Sequence, residues 1–217
     1  MSDAMKLYSG PLSLFTAKVR IALDEKGIEY ELVSVPFSRA TGYEPKHPEV
    51  VRLNPKSQVP VLVDGDLVLY DSTLILEYLE DRHPSPPLLP ADPAGRARCR
   101  QLEAAADEIL FPHVFELIQE TFYKRDERER DGARIARAQQ AIADHYTRLE
   151  ATLDSATWLG GAFSIADIGY FLTVTYATNL GASLGDAHPK LQAWYGRTLE
   201  RPAVQTEMTR LLGAARD

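Results

Sequence analysis

The chain has 217 residues, of which 45% are hydrophobic and 25% charged, and its formal net charge at pH 7 is −7. This length allows one large domain or two small ones, each with a buried core. The acidic balance argues against nonspecific nucleic-acid binding and against an anionic membrane surface, because both partners need a basic surface. We therefore expect neither among its partners.

The single cysteine, Cys99, excludes a disulfide within the chain and a cysteine-rich zinc site. Three of the histidines, His83, His145 and His188, lack metal-ligand spacing, so we expect no metal. The N-terminal segment MSDAMKLYSG has no basic patch followed by an apolar stretch, and the chain contains no apolar run of about 18 residues. These features predict a soluble cytoplasmic protein without a signal peptide.

The first half begins with a strand, a helix and a second strand. Residues 5–8 predict the first strand. Apolar side chains then recur at helical spacing, with Ser13 at the N-cap position and Gly27 at the end. Residues 30–35 predict the second strand. A helix of this length between two strands is typical of a βαβ unit, so these strands should be parallel.

A proline-containing polar loop follows, with at most a short helix at 49–53. Residues 59–63 and 66–70 predict two strands joined at Asp64-Gly65, a dipeptide typical of a type I′ hairpin turn. Asp71 and Ser72 then precede a segment with a helical apolar face. The first half is thus β-α-β, loop, β-β-α, an α/β domain with a small mixed sheet.

Residues 83–93 contain five prolines and predict an interdomain linker. The rest of the chain has a helical pattern, with helices predicted at 94–124, 132–153, 164–180 and near 191–199. Ser164 and Asp167 form a capping box with Phe163 as its staple residue, so replacing Asp167 by Ala should cost about 1 kcal/mol.

Four motifs, in this order and spacing, resemble cytosolic glutathione transferases. They are SLFTAKVRIAL at 13–23, LNPKSQVPVL at 53–62, YDSTLILEYL at 70–79 and SIAD at 164–167. The pattern is similar to the serine-type branches, which are theta-like, zeta-like or bacterial. The resemblance implies a thioredoxin-like glutathione-binding domain at 1–82, the linker at 83–93, and an all-helical bundle at 94–217 that contributes the acceptor pocket.

The resemblance also implies a glutathione site. The Val59–Pro60 bond would be cis, and the Val59 backbone would pair with the cysteinyl part of glutathione like an added strand. The Gln58 amide could bond the same peptide. Asp71 would face the γ-glutamyl amine, and Ser72 would bind the γ-glutamyl carboxylate at a helix N-terminus. The residues alone leave two alternatives: Ser72 as a helix cap, and Pro60 as the start of an ordinary strand.

The glycine carboxylate of glutathione needs a cation, and Lys46 and His47 are the nearest candidates in the loop before Asn54. The alternative for Lys46 is a solvated surface lysine. The family often has glycine at the position of Ser57, so the turn at this point is a departure from its pattern.

Such a transferase lowers the pKa of the glutathione thiol, because the thiolate is the nucleophile. Ser13 could donate to the sulfur while its helix dipole favours negative charge, and the resemblance implies this role. Ser13 could also simply cap its helix. Tyr8 is the second candidate and Ser9 the third. A cysteine activator, as in omega- and beta-like classes, is excluded because the region has none.

The second substrate should lie between the domains, with Phe111 and Phe115 in an apolar acceptor pocket. Packing against neighbouring helices is the alternative for these rings. Pro112 should bend their helix locally. Zeta-like isomerases carry Ser-Ser-Cys where this chain has Ser13-Leu14-Phe15, which argues against maleylacetoacetate isomerisation.

We therefore expect a homodimeric enzyme that conjugates glutathione to apolar electrophiles, with glutathione as co-substrate rather than a held cofactor. Two alternatives stay open. One is a transferase-like binding or regulatory protein with little turnover. The other is a glutathione-dependent peroxidase or dehalogenase, which would differ only in its acceptor.

Overall fold

A computed structural model describes residues 4–153 and 157–214. These residues divide into two compact units. The first contains residues 4–88 and 201–214, and the second contains 89–153 and 157–200. The boundary at 88–89 lies inside the predicted linker.

The first unit contains a four-stranded sheet in the order β2-β1-β3-β4. Strand β1 (Met5–Ser9) pairs in parallel with β2 (Tyr30–Ser34) and antiparallel with β3 (Val61–Asp64). Strand β4 (Leu67–Tyr70) is antiparallel to β3. The predicted parallel βαβ unit and the predicted hairpin are therefore both confirmed, and the sheet is mixed.

Three helices accompany this sheet: α1 (Leu14–Glu25), the short α2 (Pro48–Leu53) and α3 (Ser72–Arg82). Gly27 follows α1 with a φ of +64°, a left-handed conformation that glycine adopts without steric cost. The core of the unit is apolar and fully buried, with Leu7, Ile21 and Ile75 each at 0% exposure.

The hairpin turn is one residue later than predicted. Asp64 pairs with Leu67 in the ladder, so the two turn residues are Gly65 and Asp66. Gly65 has a φ of +58°, and it is the only one of the pair in the left-handed region. Asp64 instead accepts a hydrogen bond from the Tyr78 hydroxyl at 2.5 Å, and this bond raises the pKa of Tyr78. The Asp64 side chain thus connects the hairpin to α3.

A buried lysine holds the first part of the linker to the first unit. The Lys26 ammonium donates to Glu80 Oε2 at 2.7 Å and to the carbonyls of His83 and Pro86 at 2.7 and 2.9 Å. Glu80 Oε2 also accepts from the Leu88 N–H at 2.9 Å. These bonds satisfy a buried ion pair, which would otherwise be costly.

The second unit is helical, as predicted. Its α-helices are α4 (Pro93–Ala105), α5 (Phe111–Leu117), α6 (Gly132–Thr152), α7 (Ile165–Asn179) and α8 (Pro189–Leu199). A π-helical segment, Ala106–Leu110, joins α4 to α5, whose second residue is Pro112. Proline lacks the N–H that would bond the carbonyl four residues earlier, and that carbonyl lies in this segment. The bend at Pro112 stays a prediction. In the described residues, we find no helix long and apolar enough to cross a membrane.

Helix α7 is the centre of this unit, and nearly all of its side chains are buried. The predicted capping box is confirmed at its start, between Ser164 and Asp167. Asp167 does more than cap, because Oδ1 also accepts from the Leu159 N–H at 3.0 Å and from Trp194 Nε1 at 2.8 Å. The carboxylate therefore ties together a loop, α7 and α8.

The last helix, α9 (Pro202–Ala214), is grouped with the first unit, whereas the prediction extended the helical domain to residue 217. Its apolar residues pack against α1 together with Glu207, which is 0% exposed. Glu207 interrupts the buried apolar face that includes Val204 and Leu211. The sequence therefore predicts a helical pattern here but no separate helix.

A buried histidine in the second unit should make stability depend on pH. Burial, Arg148 and His113 lower the pKa of His145 from 6.5 to about 4. The folded chain therefore resists protonation more than the unfolded chain does, and stability falls as pH falls through this window. We expect the free energy of unfolding to drop by about 2 kcal/mol from this residue between about pH 7.5 and about pH 5.

Urea unfolding at both pH values measures this change in the free energy of unfolding. The matched variant is His145→Gln, because it removes the titrating group while keeping a polar side chain. The variant should lose about 2 kcal/mol of the pH dependence. Equal pH dependence in both proteins would show that His145 does not titrate in this window.

Candidate functional site

Three predicted pieces of the site come together at one end of the sheet. Tyr8 of β1 is the partner of Val61 of β3, and Val61 is the partner of Tyr70 of β4. Because β3 is antiparallel to both neighbours, its first residue lies beside the last residues of β1 and β4. The loop to α1, the residues before Val61 and the start of α3 therefore share this end.

Ser13 is the N-cap of α1. Its Oγ accepts a hydrogen bond from the Thr16 N–H at 3.3 Å, and its own N–H donates to the Gly10 carbonyl at 3.2 Å. The capping alternative is therefore confirmed. It does not exclude a second role, because a hydroxyl that accepts a bond still has its hydrogen to donate.

The other two candidates for the thiol activator, Tyr8 and Ser9, are engaged in packing and in hydrogen bonding, respectively. The Tyr8 ring is in a buried apolar cluster with Val35, Val50 and Val61. It also contacts the His47 ring edge-on, with the two ring centroids 5.7 Å apart. Ser9 is 2% exposed, and its hydroxyl accepts a hydrogen bond from Arg20. Of the three candidates, Ser13 alone stands at a helix N-terminus.

The Val59–Pro60 bond is cis, as predicted. The loop before it is organised by Asn54, a residue to which sequence reasoning assigned no role. Asn54 Oδ1 accepts from the Lys56 N–H at 2.9 Å, and its Nδ2 donates to the Gln58 carbonyl at 2.7 Å. The residue type could have indicated this role, because a buried asparagine side chain must find hydrogen-bond partners.

Ser57 has a φ of +52°, a left-handed conformation that glycine adopts without steric cost and that a serine adopts less readily. The Gln58 side chain is exposed and Val59 is half-buried, with its side chain packed against the cluster around Tyr8.

The alternative in which Ser72 caps α3 is wrong, because the cap is the residue before it. Asp71 is the N-cap, and its Oδ1 accepts from the Thr73 N–H at 3.2 Å. Ser72 is the first residue of α3 and is 4% exposed. Asp71 has a φ of +78°, a conformation that costs a non-glycine residue about 1–3 kcal/mol and that clusters at functional sites.

Two lysines near this end, Lys46 and Lys56, are exposed, whereas His47 is not. Lys46 pairs with Glu44 at 3.3 Å, and His47 is half-buried at the start of α2. The His47 Nδ1 atom is buried and has no hydrogen-bond partner among the described residues. Lys56, which sequence reasoning did not single out, has its ammonium 3.4 Å from Asp71 Oδ2.

Comparison with known proteins assigns the family. The model of the glutathione S-transferase N-terminal domain matches residues 7–87, and that of the C-terminal domain matches residues 132–197. Glutathione S-transferase 4 of Zea mays is 33% identical over 213 residues, which cover 94% of this chain and 91% of the maize protein. The chain belongs to the glutathione S-transferase family.

Two further similar proteins carry different names, one a stringent starvation protein and the other a glutathione S-transferase. A stringent starvation protein A homolog of Coxiella burnetii is 41% identical over 129 residues, which cover 58% of this chain and 57% of that protein. The theta-class glutathione S-transferase of Xanthomonas axonopodis pv. citri, solved with glutathione bound, superposes with a TM-score of 0.81. It is 29% identical, and the match covers 95% of this chain and 97% of that one.

Within this transferase fold, the predicted acceptor residues belong to the second unit. Phe111 and Phe115 are both on α5, with ring centroids 6.1 Å apart. Phe111 is half-buried and Phe115 is 46% exposed. The pair therefore offers an accessible aromatic surface.

The remaining candidates for a reactive side chain or a metal ligand are Cys99 and clusters of His, Cys, Asp or Glu side chains. Cys99 is fully buried, and burial raises the pKa of its thiol, which makes it a poor nucleophile. No group of three or more His, Cys, Asp or Glu side chains in the described part of the chain is arranged to hold a metal ion.

Proposed function

We propose that this chain is a glutathione transferase in which Ser13 activates the thiol of glutathione for attack on an apolar electrophile. One observation carries the proposal. The cap of α1, the cis Val59–Pro60 bond and the cap of α3 share one end of the sheet, as the register Tyr8–Val61–Tyr70 requires.

The chemistry follows from the position of Ser13. A thiol titrates near ~8.5 in water, and a hydrogen-bond donor at a helix N-terminus stabilises the thiolate and lowers that pKa. Ser13 accepts its cap bond from Thr16 and can donate its hydrogen to sulfur. The thiol proton passes to solvent. With an activated aryl halide, the thiolate then forms a bond from sulfur to the ring carbon, the carbon–halogen bond breaks, and the halide leaves with its electron pair.

The rest of the site would hold glutathione by its ends. The N–H groups at the start of α3 and the buried Ser72 hydroxyl suit the γ-glutamyl carboxylate, and Asp71 suits the amine. The backbone of Val59, with Gln58, would pair with the central peptide. Lys46 and His47 would supply the positive charge for the glycine carboxylate.

The acceptor would be apolar and electrophilic, because Phe111 and Phe115 present aromatic surface rather than charge. We further propose a homodimer, since α3 exposes Leu74 at 58%. A cytoplasmic location suits glutathione chemistry, which needs a reducing compartment.

Calorimetric titration of glutathione at neutral pH tests recognition. We expect a dissociation constant of about 10⁻⁵–10⁻³ M, and Asp71→Ala should weaken it about tenfold or more, because the amine would lose its counter-charge.

The matched control is Asp144→Ala on α6, which removes an exposed carboxylate bonded to the Gln140 amide at 2.9 Å and should bind glutathione normally. Wild-type protein without detectable binding would refute the transferase proposal.

A second function, a glutathione-binding regulator with little turnover, is favoured by the likeness to the Coxiella burnetii stringent starvation protein A homolog. The two functions predict the same titration but different kinetics. Rapid conjugation of an activated aryl halide supports the enzyme, whereas binding without turnover across several electrophile classes supports the regulator.

A further inference from the structure

A buried arginine on α1 connects the C-terminal helix to the end of β1. Arg20 Nε donates to Glu207 Oε2 at 2.8 Å, and a second guanidinium nitrogen donates to Oε1. A third donates to Ser9 Oγ. Arg20 is 3% exposed and Glu207 is 0% exposed, so water and salt screen this pair little. We call Ser9, Arg20 and Glu207 the Arg20 bridge.

The bridge spans the turn that carries the proposed thiol activator. Ser9 ends β1, and Ser13 caps α1. Arg20 follows Ser13 by about two helical turns, so the two residues lie on the same side of α1. Helical side chains lean toward the N-terminus of their helix, which lets the Arg20 guanidinium reach back to Ser9.

Ser9 is a firm point of attachment. Its carbonyl accepts from the Val35 N–H at 2.8 Å, and its backbone is in the β1–β2 ladder opposite Ser34. A bond from Arg20 to Ser9 therefore holds α1 against the end of β1. The turn at residues 10–13, which ends at Ser13, connects these two elements.

We propose that Arg20, held in place by Glu207 of α9, is a positioning residue for the Ser13 hydroxyl. The inference rests on the proposed function, since it matters only if Ser13 donates to the thiolate. A hydrogen bond to sulfur weakens with misalignment, so a shift of α1 along the sheet would raise the pKa of bound glutathione.

The Arg20 bridge is not required merely to anchor α9 to α1, because other ion pairs do so. Two other ion pairs join α9 or the residue before it to the C-terminal end of α1: Arg201 with Glu25 at 2.6 Å, and Arg210 with Asp24 at 3.0 Å. Neither pair includes a residue of β1. The contact with Ser9 is the part of the network that reaches the site, and it is the part to test.

Ser9→Ala removes that contact and leaves the pair of Arg20 with Glu207 intact. We expect kcat with an activated aryl halide to fall about three- to tenfold and the pKa of the bound thiol to rise by about 0.5–1 unit. The KM for glutathione should change less than about twofold, because the groups that bind it are elsewhere. The thiol pKa is read from thiolate absorbance as a function of pH.

Glu25→Gln is the control, because it removes the ion pair of α1 with Arg201, the residue before α9, without touching the Arg20 bridge. It should leave kcat and thiol pKa at wild-type values. A folded Ser9→Ala protein with unchanged kcat and thiol pKa would overturn the proposal, as would equal losses in Ser9→Ala and Glu25→Gln.

The Ser13→Ala protein distinguishes failure of the Arg20 bridge proposal from failure of the proposed role of Ser13. If Ser13→Ala raises the thiol pKa and Ser9→Ala does not, only the role of the bridge fails. If Ser13→Ala itself has no effect on the thiol pKa, the proposed mechanism fails and the bridge proposal fails with it.

Discussion

Ser13→Ala should abolish most of the conjugating activity while leaving glutathione bound. The pKa of the bound thiol should return toward the ~8.5 of a free thiol, so the thiolate fraction at slightly acidic pH should fall about 10–100-fold. We expect kcat to fall by the same factor, and the glutathione affinity to stay within about threefold, because Ser13 acts on the charged form of the sulfur.

The measurements are the pH dependence of kcat and the thiolate absorbance of the complex. The loss of an N-cap must be separated from the loss of a donor, since Ser13 also caps α1 through Thr16. Asp131→Ala serves this purpose, because Asp131 caps α6 through the Arg134 N–H at 3.0 Å. Both variants should lose about 1 kcal/mol of stability, but only Ser13→Ala should lose turnover.

Unchanged turnover and an unchanged thiol pKa in Ser13→Ala would remove Ser13 from the mechanism. Attention would then turn to Tyr8, whose ring is buried beside His47 at the same end of the sheet.

Asp167→Ala should destabilise the protein by about 3–5 kcal/mol, which replaces the ~1 kcal/mol that the sequence predicts from the helix cap alone. The buried carboxylate accepts four hydrogen bonds, and its removal leaves all four donors without their acceptor. They are the Ser164 N–H at 3.0 Å, Ser164 Oγ at 2.8 Å, the Leu159 N–H at 3.0 Å and Trp194 Nε1 at 2.8 Å.

Urea unfolding measures this cost. Ser164→Ala is the control, because it removes the capping side chain but keeps the bonds of Asp167 to Leu159 and Trp194, and it should cost about 1 kcal/mol. If Asp167→Ala costs no more than Ser164→Ala, the bonds to Leu159 and Trp194 contribute nothing to stability. The affinity for glutathione in the folded fraction should not change, since Asp167 is in the helical unit.

Much of the fold follows from local patterns. The strand–helix–strand order, the hairpin near Asp64-Gly65 and the capping box at Ser164 depend on residues within a few positions of one another. Local sequence therefore predicts them. The one-residue error at the hairpin has a local cause as well, because Asp-Gly and Gly-Asp both suit a tight turn and only the ladder register decides between them.

The candidate site was predicted residue by residue through motif resemblance, and its gaps have a common cause. Asn54 and Lys56 stand inside a motif that the sequence displays, yet their roles depend on partners that fold onto them, the Gln58 carbonyl and the Asp71 carboxylate. Asp167 illustrates the same limit, since Ser164 is a local partner but Trp194 is 27 residues away.

The sequence by itself determined the family resemblance, the order of the strands and of most helices, and the residues proposed to bind and activate glutathione. Only the tertiary structure decided that α9 is grouped with the first unit and that Glu207 forms a buried ion pair with Arg20. The physical reason is that a buried charge is stable only beside its partner. In this chain the partner is 187 residues away, so no local pattern could indicate it.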